Sequence, residues 1–254
     1  MLVAFAASVR LAPRARAQDT RSIGLISSGA AAIDTTKTKP VTSFTGDLGF
    51  ISASGNTNIT TLTIADKITH TEGRWMFAQF GTYVNGETNS KQTANQLLLG
   101  ARADFALDPR LSVFVGASYE RNTFAGFTSR IDEIAGLSWA AIVAEKDSAR
   151  IDIGGVATQE SDVDSVYQGY PSARAALNYK HQFTKLAYFH QFVEYIPNLK
   201  TSGSYRFNTE SALVAPLSTH IGIKVAYAIR FDSRPQPTFG TTDRLLTTGI
   251  QISY

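Results

Sequence analysis

The four histidines are the side chains best suited to acid–base or nucleophilic chemistry in this chain. They are His70, His181, His190 and His220. A nucleophilic site needs a hydroxyl within hydrogen-bond reach of the histidine and a third group that orients the ring. The chain contains no G-x-S-x-G, H-E-x-x-H or phosphate-loop motif. We therefore expect no catalytic residues. A lipid-modifying enzyme, which would need a serine about 3 Å from His181 or His190, is the least favoured alternative.

The sequence also contains few residues that could bind a metal ion or a cofactor. The chain has no cysteine, which excludes disulfides and thiolate ligands. No second histidine is placed to share a metal ion with His190, so we expect His190 to hydrogen-bond to Asn178 instead. We predict no metal site and no cofactor.

Charged residues recur at alternate positions, which is how the side chains of one face of a strand are spaced. If that face lines a barrel, two ion pairs are expected from hairpin symmetry, Arg174 with Glu194 and Glu210 with Lys224. Facing charges of this kind can set the selectivity of a pore. The candidate lumen residues are Arg102, Glu120, Asp132, Arg150, Arg174, Lys180, His190, Glu194, Arg206, Glu210, Lys224 and Arg230.

Two groups of these charges are expected to face each other across the barrel. Glu120 and Asp132 lie near the upper ends of two strands, and Arg206 and Arg230 lie near the upper ends of two others. In a barrel this small, such facing clusters would control any narrow channel.

The elements that would position these side chains are strands. From Val41 to the end the hydrophobic pattern has period two and is interrupted by Gly, Asn, Asp, Ser and Pro clusters, which is typical of antiparallel strands. We predict an all-β, antiparallel transmembrane β-barrel of about twelve strands in meander order. The predicted strands span 42–54, 59–70, 74–85, 92–107, 110–122, 130–144, 149–160, 172–183, 186–197, 203–215, 219–232 and 241–254.

The connections between these strands alternate between short and long. The second, fourth, sixth, eighth and tenth are short, whereas others are longer and polar, such as NGETNSKQ from Asn85 and QESDVDSVYQGYP from Gln159. Short turns at one rim and long loops at the other are typical of outer-membrane barrels. A soluble barrel or sandwich is the alternative. Asp66 and Gln191 fall on the lipid-facing side, where we expect a bulge or a position near the rim.

The N-terminus has the features of a targeting segment. Residues 1–17 combine a short apolar core with a small-x-small site, which predicts a signal peptide, with a disordered basic N-terminus as the alternative. Its removal leaves 21 basic and 21 acidic residues, so net charge gives no support to nucleic-acid binding. We interpret residues 18–40 as a flexible periplasmic tail and 41–254 as the barrel.

The C-terminal octet TTGIQISY is an amphipathic strand that runs to the last residue. Chain ends are usually polar and frayed, so this one is expected to be built into the sheet. It resembles the C-terminal assembly signal of bacterial outer-membrane proteins, carried here by Gly249, Ile252 and Tyr254. This implies recognition by the outer-membrane assembly machinery, with strand twelve closing against strand one near Phe44 to Phe50.

Residues 44–254 resemble the domain-of-unknown-function 481 family, the salt-induced outer-membrane protein group. The resemblance is carried by GFISASGNTN (49–58), Trp75, FVGASYERNTFAG (114–126) and SRIDEIAGLSW (129–139). It implies a barrel in the bacterial outer membrane, reached by signal-peptide export and surrounded by its lipid, and it implies no established activity.

We therefore expect a narrow passive channel for small hydrophilic solutes, with anions favoured if Arg174, Lys180, Arg206 and Arg230 dominate the lumen. The alternative is a closed structural or envelope-stress barrel without transport, plugged by its side chains or tail, that binds partners through the loop from Gln159 to Pro171.

Overall fold

The computed structural model describes Ile33 and residues 39–53, 59–237 and 239–253. The predicted signal peptide lies outside the described residues, as does most of the predicted tail. Within the described residues, twelve strands form a closed antiparallel barrel in which each strand pairs with its neighbours in the chain and β12 closes on β1. The strands are β1 (Val41–Ala53), β2 (Ile59–Glu72), β3 (Trp75–Thr88), β4 (Lys91–Ala106), β5 (Leu111–Asn122), β6 (Phe127–Val143), β7 (Asp147–Asp162), β8 (Tyr167–Gln182), β9 (Tyr188–Pro197), β10 (Tyr205–Pro216), β11 (Ile221–Asp232) and β12 (Thr242–Ser253).

The barrel has two rims that differ in their connections. The lower rim carries the start of β1, the end of β12 and short turns. The upper rim carries the 3₁₀ turn Thr123–Ala125 and two of the longer connections, Asn198–Ser204 and Ser233–Thr241. Among the described residues, no helix is long and apolar enough to cross a membrane.

Two predicted long loops are wrong, because the strands continue through them. The segment from Asn85 is hairpin up to a two-residue turn at Asn89 and Ser90, whose φ angles are 50° and 60°. The segment from Gln159 to Pro171 is strand except for the turn at 163–166. Backbone hydrogen bonds are sufficient to pair the strands of these polar hairpins. The hairpins therefore lack the apolar alternation from which strands are predicted.

The outer face of the barrel is apolar. Ile153, Val115, Leu246 and Leu137 are between 50% and 64% exposed, as are many similarly placed aliphatic side chains. Outer-membrane barrels turn such a band towards lipid.

Aromatic rings lie on the outer face near both rims. At the lower rim Trp75 packs on Phe77 and Phe105, with centroid distances of 5.7 and 4.8 Å. At the upper rim Tyr205 packs on Tyr195 and Phe231, each at 5.5 Å. Such rings are typical of the two membrane interfaces.

Polar residues on this outer face are accommodated without the expected bulges, because the ladders of β2 and β9 show no register shift. The Gln191 amide donates to Thr209 Oγ1 at 2.8 Å and accepts from Ser211 Oγ at 2.5 Å, so it is satisfied on the barrel wall. Asp66 lies between Gly46 and Gly81 on the adjacent strands.

A second outward carboxylate, Glu133, was not singled out by sequence. It is exposed in the middle of β6 and is flanked by Ala117 and Ala157 on the adjacent strands. The small neighbours of Asp66 and Glu133 leave room for their side chains to lie along the wall.

The seam between β1 and β12 pairs Thr45–Gly49 with Gly249–Ser253, at the predicted place. This ladder is much shorter than those of the other strand pairs, which extend over most of each strand.

Candidate functional site

The site is the barrel interior, which the alternation of each strand fills with polar side chains. All twelve candidate lumen residues lie on inward positions of their strands. Nine of them are buried: Arg102, Glu120, Asp132, Arg150, Arg174, Glu194, Arg206, Glu210 and Arg230. Lys180, His190 and Lys224 are partly buried.

Five of the inward side chains form what we call the central charge layer: Arg102, Asp104, Asp152, Arg174 and Glu194. Each is at most 3% exposed. Arg102 Nη1 lies 2.5 Å from Asp152 Oδ2, and Arg102 Nη2 lies 2.8 Å from Asp104 Oδ1. Arg174 continues the chain of ion pairs, with Nη1 3.3 Å from Asp152 Oδ2 and Nε 2.7 Å from Glu194 Oε1.

The layer crosses the lumen rather than following the wall. Its first pair joins β4 to β7, which are three strands apart, and its last joins β8 to β9. The Arg102 guanidinium also stacks 3.8 Å from the centre of the Phe114 ring. Phe114 in turn belongs to a buried apolar cluster with Ile134, Val156 and Ile196, which brings together side chains of β5, β6, β7 and β9. Charged and apolar contacts together narrow the middle of the barrel.

Above the layer, arginine–carboxylate pairs span the upper half of the lumen. Arg206 donates from both Nη atoms to Asp132, at 3.1 and 3.2 Å, and also contacts Thr158. This pair joins β10 to β6, four strands apart. Arg130 pairs with Glu160 at 2.5 Å. Of the two predicted facing groups, Arg206 and Asp132 therefore meet across the barrel and neutralise each other, whereas Glu120 accepts from Gln96.

A cavity of about 470 Å³ opens at this end, and we call it the upper cavity. The connection Ser233–Thr241 reaches over it to the opposite wall. Gly126 there has φ of 95°, and a Cβ on it would lie 3.0 Å from Gln236 and 3.2 Å from Phe239. The upper cavity is lined by Phe124, Phe127, Arg130, Glu160, Gln168, Tyr170, Ser172, Arg206, Asn208, Arg230, Arg234, Phe239 and Asp243, among others.

Below the layer, the lower half of the lumen carries the buried Arg150 and several lysines. Lys224 Nζ donates to Asp47 at 2.6 Å, and Lys180 Nζ lies 4.3 Å from the centre of the Tyr188 ring. His190 Nε2 lies 3.2 Å from Asn178 Oδ1, which is the expected hydrogen bond. We call the cavity of about 250 Å³ here the lower cavity.

Ile33 also lies in the lower half. It is 4% exposed and packs with Met76 and Ala106 on the inner face of β3 and β4. At this residue the N-terminal segment contacts the lumen wall, whereas the prediction was a flexible tail.

The predicted hairpin registers are each wrong by a small shift. The β8–β9 register centres on Lys185, so Glu194 lies opposite Ala176, and the predicted ion pair forms diagonally because Arg174 is long enough to reach it. The β10–β11 register places Glu210 opposite Ala228 and Lys224 opposite Val214. Lys224 therefore pairs with Asp47 of β1 rather than with Glu210 as predicted.

His181 and His190 do not form the serine–histidine site that the enzyme alternative needs among the described residues. His181 Nδ1 lies 2.8 Å from Asp147 Oδ1, and the Tyr179 hydroxyl donates to the same oxygen. Neither His181 nor His190 has a serine within hydrogen-bond distance in the described part of the chain. Nor does any group of three metal-ligating side chains come together there.

The C-terminal residues take part in closure. Gly249 lies directly opposite Gly49, and a Cβ on Gly249 would collide with the carbonyl oxygen of Leu48. Ile252 is 42% exposed on the outer face. Tyr254 lies outside the described residues, so its part in the signal stays a prediction.

Comparison with known proteins identifies a matching family and a related protein. A family model described as "Protein of unknown function, DUF481" matches residues 46–254. The "Uncharacterized protein YdiY" of Escherichia coli (strain K12) is 27% identical over 213 residues, which cover 83% of each protein.

Solved structures with a similar fold include outer-membrane barrels. The translocator domain of autotransporter NalP from Neisseria meningitidis has a TM-score of 0.50 at 11% identity, over 84% of this chain and 87% of that one. The NanC porin has a TM-score of 0.48 at 12% identity, over 82% and 97%. The KdgM porin in complex with disordered oligogalacturonate has a TM-score of 0.44 at 13% identity, over 84% and 99%. At these identities the likeness concerns the fold.

Proposed function

The chain belongs to the DUF481 family, and we propose that it is an outer-membrane barrel that passes small hydrophilic solutes through a lumen narrowed by the central charge layer. Its apolar outer face would contact outer-membrane lipid, and the upper rim would face the cell exterior. The family description carries no activity, so the proposal rests on the interior of this chain.

One observation carries the proposal: two cavities lie at opposite ends of the lumen, with a layer of side chains between them. The upper cavity measures about 470 Å³ and the lower cavity about 250 Å³. The layer consists of long side chains such as Arg102 and Arg174 rather than of inserted backbone. Opening such a constriction requires side chains to exchange ion-pair partners and rotamers, but no movement of the backbone.

Fewer cations than the sequence indicated are available to attract anions. Arg174 pairs with Glu194 and Arg206 pairs with Asp132, so two of the four cations invoked for it are compensated. Lys180 of the lower half remains a candidate for anion attraction. The fourth cation, Arg230, lies in the upper half directly opposite Asp243 of β12. Any anion preference is therefore expected to arise at the lower mouth.

A closed structural barrel is the second candidate, and the burial of the central charge layer favours it. All five of its side chains are at most 3% exposed and their charges oppose one another. A buried hydrogen-bonded network stiffens the structure around it, and here Arg174 Nη2 is left without a partner while Nε and Nη1 are bonded. In this alternative the layer is a permanent brace.

Planar-bilayer recording on the refolded full-length barrel separates the two candidates. We expect brief openings of low conductance in the unaltered protein and a larger, longer-lived conductance in the Arg102→Ala variant. Arg110→Ala, at the exposed lower turn, is the control and should behave like the unaltered protein. Absence of current in both the unaltered protein and Arg102→Ala, with folding confirmed by heat-modifiable migration, would leave the structural barrel.

The remaining expectations stand as part of the same proposal. They are export by residues 1–17, recognition of the C-terminal strand by the outer-membrane assembly machinery, and absence of catalysis, cofactor and nucleic-acid binding.

Deletion of Tyr254 should lower the yield of folded barrel in the outer membrane, while the same deletion in purified, refolded protein should leave conductance unchanged.

A further inference from the structure

The inner face of β8 presents three polar side chains to the upper cavity at successive inward positions: Gln168, Tyr170 and Ser172. Ser172 is 3% exposed, yet its hydroxyl has no hydrogen-bond partner. The Tyr170 hydroxyl and the Gln168 amide likewise make no hydrogen bond with the described protein atoms. A buried hydroxyl without a partner is costly, so it calls for a partner that the protein itself does not supply.

Apolar surface stands beside this polar stripe. It is provided by Phe124 and Phe239, which line the cavity. The Phe127 ring lies behind the Arg130 guanidinium, 3.8 Å from it, and is itself only 1% exposed. A concave site that combines aromatic walls with a few convergent polar groups is the usual form of a small-molecule site.

The charges around the cavity are balanced. Four arginines line it, Arg130, Arg206, Arg230 and Arg234, and three acids line it with them, Glu160, Asp232 and Asp243. Arg206 is compensated in addition by Asp132, which lies behind it. A site for an anion would leave positive charge in excess, so this balance favours a neutral ligand.

The size of the cavity limits the ligand further. About 470 Å³ lies within the range of roughly 300–1,000 Å³ that small-molecule sites occupy. The polar stripe advances two residues per step along one strand, so its three groups extend over about 13 Å at about 3.3 Å per residue. This matches a ligand with several hydroxyls along its length.

We propose that the upper cavity binds neutral polyhydroxylated solutes of monosaccharide to disaccharide size, through hydrogen bonds to Gln168, Tyr170 and Ser172. The inference rests on the proposed function, since it names the class of solute that would enter the lumen. Binding is measured without transport, however, so the two can fail separately.

The test is calorimetric titration of the full-length barrel refolded in detergent micelles, with glucose, maltose, glucuronate and inorganic phosphate as probes. We expect saturable binding of glucose or maltose and no tighter binding of the two anions. Tyr170→Phe and Ser172→Ala, which each remove one hydroxyl, should weaken sugar binding by roughly 3- to 10-fold. Tyr167→Phe is the matched control, because Tyr167 is 65% exposed on the outer face three residues away; it should bind like the unaltered protein.

Three results would overturn the inference. They are no saturable binding of either sugar by barrel that shows heat-modifiable migration, tighter binding of glucuronate or phosphate than of both sugars, and sugar binding that neither Tyr170→Phe nor Ser172→Ala weakens. Sugar binding in a barrel that never conducts would retain the site and reject the passage.

Discussion

Two ion pairs, one in each half of the lumen, use different cations, and they differ in how tightly they join the strands. In the upper half Arg206 holds Asp132 from two nitrogen atoms, and the two side chains are 9% and 10% exposed. In the lower half Lys224 holds Asp47 from one nitrogen atom, and the side chains are 19% and 21% exposed. A planar guanidinium can grip a carboxylate across a gap, whereas an ammonium acts as a hydrated point charge.

The difference in ion-pair burial indicates which part of the lumen stabilises the barrel most. Ion-pair burial is greatest in the central charge layer, where Arg102 and Asp152 are each 1% exposed, and it decreases through Arg206 to Lys224. Removing one partner of a buried pair leaves a charge that neither water nor protein solvates, and that cost falls with exposure.

The largest effect is expected from Arg102→Met, which leaves Asp104 and Asp152 without their shared cation. We expect the free energy of unfolding in lipid vesicles, measured by urea titration, to fall by about 3–5 kcal/mol. Arg110→Met is the control and should change it by less than about 0.5 kcal/mol. A loss at Arg102 no greater than the control would show that the layer does not brace the barrel.

A smaller loss is expected from Arg206→Met in the upper half. Asp132 keeps its hydrogen bond from Thr158, so the expected loss is roughly 1.5–3 kcal/mol in the same titration. The variant should also shift the charge balance of the upper cavity towards negative. A loss larger than that of Arg102→Met would reverse the proposed order of bracing.

Lys224→Met in the lower half should cost least of the three ion-pair variants, about 1 kcal/mol or less, because its pair is partly exposed. Asp47 also accepts from Gln251, so it is not left alone. Equal losses for Lys224→Met and Arg206→Met would remove the distinction between the halves.

Lys180→Gln tests a side chain that is expected to affect ion selectivity rather than stability. We expect a change in unfolding free energy below about 0.5 kcal/mol but a lower preference for chloride over potassium, read from reversal potentials in a salt gradient. The recording uses the Arg102→Ala background, in which current is expected. Lys200→Gln, near the upper rim, is the matched control. An equal shift from both variants would place no special selectivity at the lower mouth.

Local pattern was sufficient to predict the barrel. Alternation from Val41 onward gave the strand number, the meander order and the inward set, because each depends only on side-chain period and short connections. The polar hairpins around Asn89 and after Gln159 were misread as loops, since residues paired only through backbone carry no hydrophobic signal.

The contacts of the interior could be predicted only in part. Arg206 and Asp132 are 74 residues apart, and Lys224 and Asp47 are 177 apart. The sequence predicted that Arg206 and Asp132 belong to facing groups, but which side chains touch depends on the width of the closed barrel, which no local pattern contains. The register of β8 and β9 failed for a smaller reason, because the turn centres on Lys185 rather than on Thr184.

The short ladder between β1 and β12 has a consequence for how the barrel comes apart. Above the pair Gly49 and Gly249, β12 continues to Thr242 with hydrogen bonds to β11 but without a ladder to β1. Backbone groups that lack partners are costly in lipid, so this stretch is the least protected part of the wall. Amide exchange should therefore begin along the upper part of β12, and the seam should be the last strand pair to zip during assembly and the first to part.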